Sequence, residues 1–109
     1  MIGERDLRRM KPTAYLINVA RGAVVDEAAL IRALQDGWLA GAAIDVYAQQ
    51  PVSRDNPLLA MDNVLLTPHS ASLTRERFRR TGLAVAQDAL RVLMGERLIG
   101  IANPQIYDQ

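Results

Sequence analysis

Apolar residues fall along this chain in two kinds of pattern, and the two predict different elements. Near-continuous runs occur at Ala14–Ala20, Ala40–Tyr47 and Asn63–Leu66. Runs this short and this rich in strand formers suit β-strands, and their unbroken character predicts burial on both faces, as in a parallel sheet. Spaced stripes occur elsewhere. Leu30, Ile31 and Leu34 mark a helix over Glu27 to Asp36, with Asp26 placed to cap its start and Gly37 to end it. Phe78, Gly82, Val85, Ala89 and Val92 repeat at spacings of 4, 3, 4 and 3. That stripe predicts a long core-facing helix, capped by Thr74 and running to about Met94 before Gly95.

The remaining segments are connections. Met1 to Met10 reads as a short helical turn that Pro12 ends. Ala48 to Asp62 reads as a loop, with Leu58-Leu59 as its anchor, and Asn103-Pro104 marks a turn in the tail. Strand, helix, strand, loop, strand, helix is an α/β order. In open α/β sheets ligands gather beyond the carboxyl ends of the strands. The rule selects Ala20-Arg21-Gly22, Asp45 to Pro51, and Thr67 to Ser72.

Composition narrows the chemistry. With 109 residues the chain is long enough for one small domain. A net charge of +1 gives no bulk bias toward nucleic acid. Arginines cluster at 75–80 and near the start, but acidic residues are interspersed, so a solvated helix face is the better account and no nucleic-acid partner is expected. The absence of cysteine removes disulfides and thiolate catalysis. No apolar run approaches the roughly 20 residues of a membrane span, and the charged N-terminus lacks a signal-peptide core, so no membrane partner and a cytoplasmic location are expected.

Each selected strand end carries one chemically useful residue: Arg21, Asp45 and His69, the last being the only histidine. Each also has a plain local reading, as a surface arginine, a turn cap and a structural histidine. Parallel neighbouring strands would bring all three to one cleft. Arginine grips a carboxylate with two parallel hydrogen bonds, and histidine exchanges a proton near neutral pH. Together they suit a small 2-oxo or 2-hydroxy acid, with the hydride coming from a cofactor, since no side chain supplies one.

Three motifs carry a resemblance. They are Ala14-Tyr15-Leu16-Ile17-Asn18-Val19-Ala20-Arg21-Gly22 with Val25-Asp26-Glu27, then Gly41-Ala42-Ala43-Ile44-Asp45-Val46-Tyr47, then Asn63-Val64-Leu65-Leu66-Thr67-Pro68-His69. In this order and spacing the chain resembles the D-isomer-specific 2-hydroxyacid dehydrogenase family from about Met1 to Pro104. The resemblance implies a partial Rossmann-like parallel sheet of about three strands with flanking helices and a long C-terminal helix. Residues 1–95 would be the later half of the dinucleotide-binding domain, and residues 96–109 a tail returning to the substrate domain. It implies NAD or NADP as cofactor and a homodimer as the assembled form. It makes Arg21 the substrate-binding residue and His69 the acid or base. It also places Val19, Ala20, Arg21, Asp45, His69, Ser70, Ala71 and Ser72 around the nicotinamide.

The chain departs from the family twice. Most members carry a glutamate directly before the proline after the second strand, where it pairs with the histidine; here Gln50 precedes Pro51. A neutral amide favours the imidazolium much less than a carboxylate does, which predicts a carbonyl-reducing direction displaced toward acid pH. Formate dehydrogenases resembling this family have Gln-Pro at that place, so a formate-dehydrogenase-like enzyme is an alternative. A dehydrogenase-like domain used for association is another. The second departure is larger. No two of the glycines are two residues apart, so the chain contains no G-x-G-x-x-G phosphate turn. The family places that turn upstream, together with the parts that choose the 2-hydroxy acid and choose between NAD and NADP. The expectation is therefore a partial chain, or one paired with another chain that supplies the rest. Alone it would have a first strand with an open edge and would bind NAD weakly or not at all.

Overall fold

The computed structural model describes residues 1–108. The elements follow the order α1 (Glu4–Leu7), β1 (Tyr15–Asn18), α2 (Glu27–Gln35), β2 (Gly41–Ile44), β3 (Val64–Leu66) and α3 (Arg75–Leu93). Short 3-10 turns lie at Gly22–Val24, Pro57–Ala60 and Pro104–Asp108. The chain divides into two compact units, Met1–Ala71 and Ser72–Gln109.

In the first unit the three strands are parallel and stand in the order β1-β2-β3. Tyr15 pairs with Gly41 through to Asn18 with Ile44, and Ala42 pairs with Val64 through to Ile44 with Leu66. All three strands thus have their carboxyl ends on the same side of the sheet. Neighbouring strands lie about 4.8 Å apart, so the exits of β1 and β3 are separated by roughly 10 Å.

Side-chain alternation decides the core. Leu16 and Asn18 of β1 and Ala42 and Ile44 of β2 point to one face and are buried. There they meet Leu7 of α1 and Ala29, Leu30, Ala33 and Leu34 of α2. The opposite face departs from the sequence expectation of two-sided burial. Tyr15, Ile17 and Leu65 are each about two-thirds exposed, with Ile17, Ala43 and Leu65 in one row across the strands. Among the described residues the first unit's helical core residues all pack on the Leu16 side, and the alternate row gains no helix from this unit.

Local signals account for the helix ends. The Asp26 carboxylate accepts the Ala29 N–H at 3.0 Å and starts α2. Gly37 follows α2 with φ 70°, the left-handed conformation that glycine adopts without steric penalty. The N-terminal segment is tied on by a parallel bridge between Ile2 and Val25. Glu4 joins α1 to α2 by bonding Arg8 at 2.9 Å and Arg32 at 3.1 Å. The expected loop from Ala48 to Asp62 contains a 3-10 turn that its pattern does not announce. Asn56 caps it by accepting the Leu58 N–H, and Pro57 occupies its first position. Leu58 is buried but Leu59 is half-exposed, so one leucine anchors the loop rather than two.

In the second unit the Thr74 hydroxyl accepts the Arg77 N–H at 3.1 Å, as expected, and α3 ends at Leu93 with Met94 as its C-cap. The stripe expected to face a core does not. Phe78, Val85 and Val92 are all more than 60% exposed, and α3 has no buried residue. The unit comprises only this helix and the tail, where the Leu98 N–H donates to the Tyr107 hydroxyl. Such a unit is too small to cover a 19-residue helix.

Candidate active site

The strand exits are built around two buried polar residues. Asn18 ends β1 with 5% exposure. Its side-chain Nδ2 donates to the Arg21 carbonyl at 3.0 Å, and its Oδ1 accepts the Ala20 N–H at 3.1 Å. One amide therefore closes the turn that presents Val19, Ala20 and Arg21, all of them exposed. The Asn18 carbonyl also accepts the Asp45 N–H, joining this turn to the end of β2. Glycine at position 22 is required by proximity. A Cβ there would lie 2.0 Å from the Tyr47 carbonyl oxygen, so the turn after β1 and the loop after β2 touch backbone to backbone.

Asp45 is the second buried polar group, with 4% exposure. Its Oδ1 accepts the Thr67 hydroxyl at 2.5 Å and the Ser70 N–H at 2.8 Å, and its Oδ2 accepts the Ala71 N–H at 3.0 Å. Its main-chain carbonyl takes the His69 N–H at 2.9 Å. The Thr67 hydroxyl, the Ala71 and Ser70 amides and the nearby His69 outweigh burial and hold the Asp45 carboxyl below the usual carboxylate range. Asp45 thus shapes the whole loop after β3.

That loop holds His69 in an uncommon conformation. Its φ is 56°, a left-handed value rare outside glycine, and the bonds from Asp45 on both sides maintain it. The exposed imidazole Nδ1 lies 3.1 Å from Gln50 Oε1. Donation of Nδ1–H to this oxygen leaves Nε2 as the ring atom open to a ligand. Tyr47, Gln50, Pro51, Val52, Pro68 and His69 wall a pocket of about 270 Å³. The Tyr47 hydroxyl donates to the Thr67 carbonyl at 3.1 Å, and burial, with Asp45 and Glu27 nearby, raises its pKa.

Of the residues selected from the sequence, Asp45, Gln50, His69, Ser70 and Ala71 are joined by these bonds. Arg21 leaves the same sheet edge, but its guanidinium donates to the Ala20 carbonyl at 2.6 Å and bonds no other described residue. Ser72 begins the second unit, where its carbonyl accepts the Thr74 N–H. Sequence reasoning passed over Asn18, Thr67 and Gly22 as working parts. Asn18 had left a signal, because a single polar residue inside an apolar run must find partners when buried.

Among the described residues Asp45 Oδ2 accepts one bond, from the Ala71 N–H, leaving a lone pair for an amide donor such as a carboxamide. The exposed backbone at Val19-Ala20 offers further partners. These suit the nicotinamide end. Among the described residues no group of His, Cys, Asp and Glu is arranged to hold a metal.

Residues 1–71 match the family described as D-isomer specific 2-hydroxyacid dehydrogenase, NAD binding domain. Similar curated proteins include a glyoxylate reductase of Thermofilum pendens, 48% identical over 97% of this chain and 31% of its own length. A glyoxylate/hydroxypyruvate reductase B of Yersinia enterocolitica is 42% identical over all of this chain and 33% of its own. Among solved structures, a D-isomer specific 2-hydroxyacid dehydrogenase from Xanthobacter autotrophicus Py2 in complex with NADPH superposes with a TM-score of 0.81. It is 40% identical and covers 96% of this chain and 43% of that one. The NAD-complexed enzyme from Lactobacillus delbrueckii gives the same TM-score and identity over 94% of this chain and 35% of that one. The chain spans about a third of the length of the curated relatives it matches. The three parallel strands, the Asp45-centred loop and this match place the chain in the D-isomer specific 2-hydroxyacid dehydrogenase family, with residues 1–71 belonging to its NAD-binding domain.

Proposed function

We propose that this chain supplies the acid–base end of an NAD(P)-dependent oxidoreductase that interconverts a small 2-hydroxy acid and its 2-oxo acid. The observation that carries the reading is the His69 imidazole, oriented by Gln50 at 3.1 Å beside the loop that Asp45 braces. In this reading Nε2 of His69 donates a proton to the carbonyl oxygen during reduction and takes it back during oxidation. Arg21 swings from the Ala20 carbonyl to hold the substrate carboxylate. Val19, Ala20, Asp45, Ser70 and Ala71 would line the nicotinamide, with Asp45 as an acceptor for its carboxamide. The bound nicotinamide supplies or accepts the hydride. Residues 1–95 form the later half of the cofactor domain and residues 96–109 return toward the substrate domain. The names of the relatives make glyoxylate and hydroxypyruvate the first substrates to test. The family resemblance favours a cytoplasmic homodimer; among the described residues no helix is long and apolar enough to cross a membrane.

Gln50 makes the reading testable through pH. A carboxylate at position 50 would favour the imidazolium more strongly than the amide does. In the intact protein, Gln50→Glu is expected to carry the alkaline limb of glyoxylate reduction, where the imidazolium is lost, toward higher pH. An unchanged pH profile would count against His69 as the proton donor paired with residue 50. The same neutral Gln50 favours one second reading, oxidation of formate, a reaction that moves a hydride without proton exchange. Formate-dependent reduction of NAD with no glyoxylate reduction would select it.

A further inference from the structure

The loop that carries Gln50 has almost nothing of its own to hold it in place. Gln50 is exposed, as are Ala48, Gln49, Ser53, Arg54 and Asp55. Among the described residues, loop 48–56 makes hydrogen bonds only within itself, to the 3-10 turn that follows, to His69 through Gln50, and to one outside side chain. That side chain is Glu27, the first residue of α2. Its Oε2 accepts the Ala48 N–H at 2.9 Å, and its Oε1 accepts Asn56 Nδ2 at 2.8 Å. One carboxylate therefore ties both ends of the loop to α2. Asn56 passes the connection on, because its Oδ1 accepts the N–H of Leu58, which is buried.

The geometry points to Glu27 as a positioning residue: through Ala48 and Asn56 it fixes the loop that places Gln50 against His69. This inference rests on the reading of His69 and Gln50 given above. Both Glu27 oxygens face N–H donors, so an acidic side chain fits where an amide would leave one donor facing its own NH₂ group. Its place at the start of α2 suits the negative charge, since helix amides and the helix dipole favour an anion there. Without the tie, Gln50 is free to drift from Nδ1, and an exposed loop released at both ends loses the geometry that orients the ring.

The test exchanges the polarity of the tie. Glu27→Gln together with Asn56→Asp restores both bonds, with Nε2 at position 27 donating to the carboxylate at 56 and Oε1 accepting the Ala48 N–H. The readout is the pair of ring-nitrogen signals of His69 by NMR in the intact protein, assigned through their loss in His69→Asn. Kinetics with a 2-oxo acid are measured alongside. Glu27→Ala is expected to displace the Nδ1 signal. It should lower kcat by about tenfold with a smaller change in KM, since the loss is one of orientation. Either single exchange should do part of this, and the pair should return the His69 signals and most of the rate. Unmoved ring signals in Glu27→Ala would overturn the inference. So would a double variant as perturbed as the worse single one. If Glu27→Ala does not fold, Asn56→Ala removes one of the two bonds and is read in the same way. The ring signals need no turnover, so an intact protein inactive on 2-oxo acids would refute the proposed reaction and still decide the role of Glu27.

Discussion

At the scale of single residues, Asp45 organises more of the site than any other side chain. It accepts from one hydroxyl and two amides while its own carbonyl takes the His69 N–H. The same bonds make it a pH sensor of known sign. Its folded carboxyl titrates below the ordinary aspartate value, chiefly through the Thr67 hydroxyl. Its stabilising contribution is therefore complete above the unfolded value of about 3.9 and is lost as pH falls through the lower folded value. Denaturation midpoints measured from neutral pH down to strong acid should fall across that window in the parent chain. Thr67→Val removes the largest cause of the shift, so its midpoint should fall less steeply there. Equal acid dependence in both proteins would remove Asp45 from the account. The sequence marked Asp45, Arg21 and His69 because each follows an apolar run, but it did not show that Asp45 is spent largely on the backbone of its own site. That division depends on the turn of Thr67 to Ala71, where His69 takes its positive φ.

At the scale of elements, patterns that depend on neighbours in sequence were legible and patterns that depend on partners in space were not. Asp26, Gly37 and Thr74 act within one helical turn and stand where their residue types place them. The burial of a run or stripe depends on what lies across from it. The alternate row of the sheet and the Phe78–Val92 stripe are exposed for that reason, although apolar pattern alone predicts their burial. The caps give the corresponding prediction. Asp26→Ala removes the Ala29 acceptor from a helix whose Leu30 and Leu34 lie in the core. It should lower unfolding stability by about 1 kcal/mol, whereas Leu30→Ala should cost roughly 2–5 kcal/mol through the cavity it leaves. Chemical denaturation of the two variants checks the ordering. A cap variant as damaging as the core variant would mean that α2 is held by its end rather than by its packed face.

At the scale of the whole molecule, the proposed reading assigns the strand exits to a nicotinamide and a small acid, while the sequence contains no G-x-G-x-x-G turn for the pyrophosphate. The 109-residue chain by itself is therefore expected to give no saturable NADH signal at micromolar cofactor; clear saturation there would show that the phosphates are held by other means. Of the groups at the three strand exits, His69 is the one on which the proposed chemistry turns. The most direct measurement is kcat for glyoxylate reduction by the intact protein carrying His69→Gln, with cofactor affinity followed by nicotinamide fluorescence. A loss of about 10²–10⁴ in kcat is expected, the usual worth of a positioned general acid, with cofactor affinity retained. An unchanged kcat would contradict it and return His69 to a purely structural role.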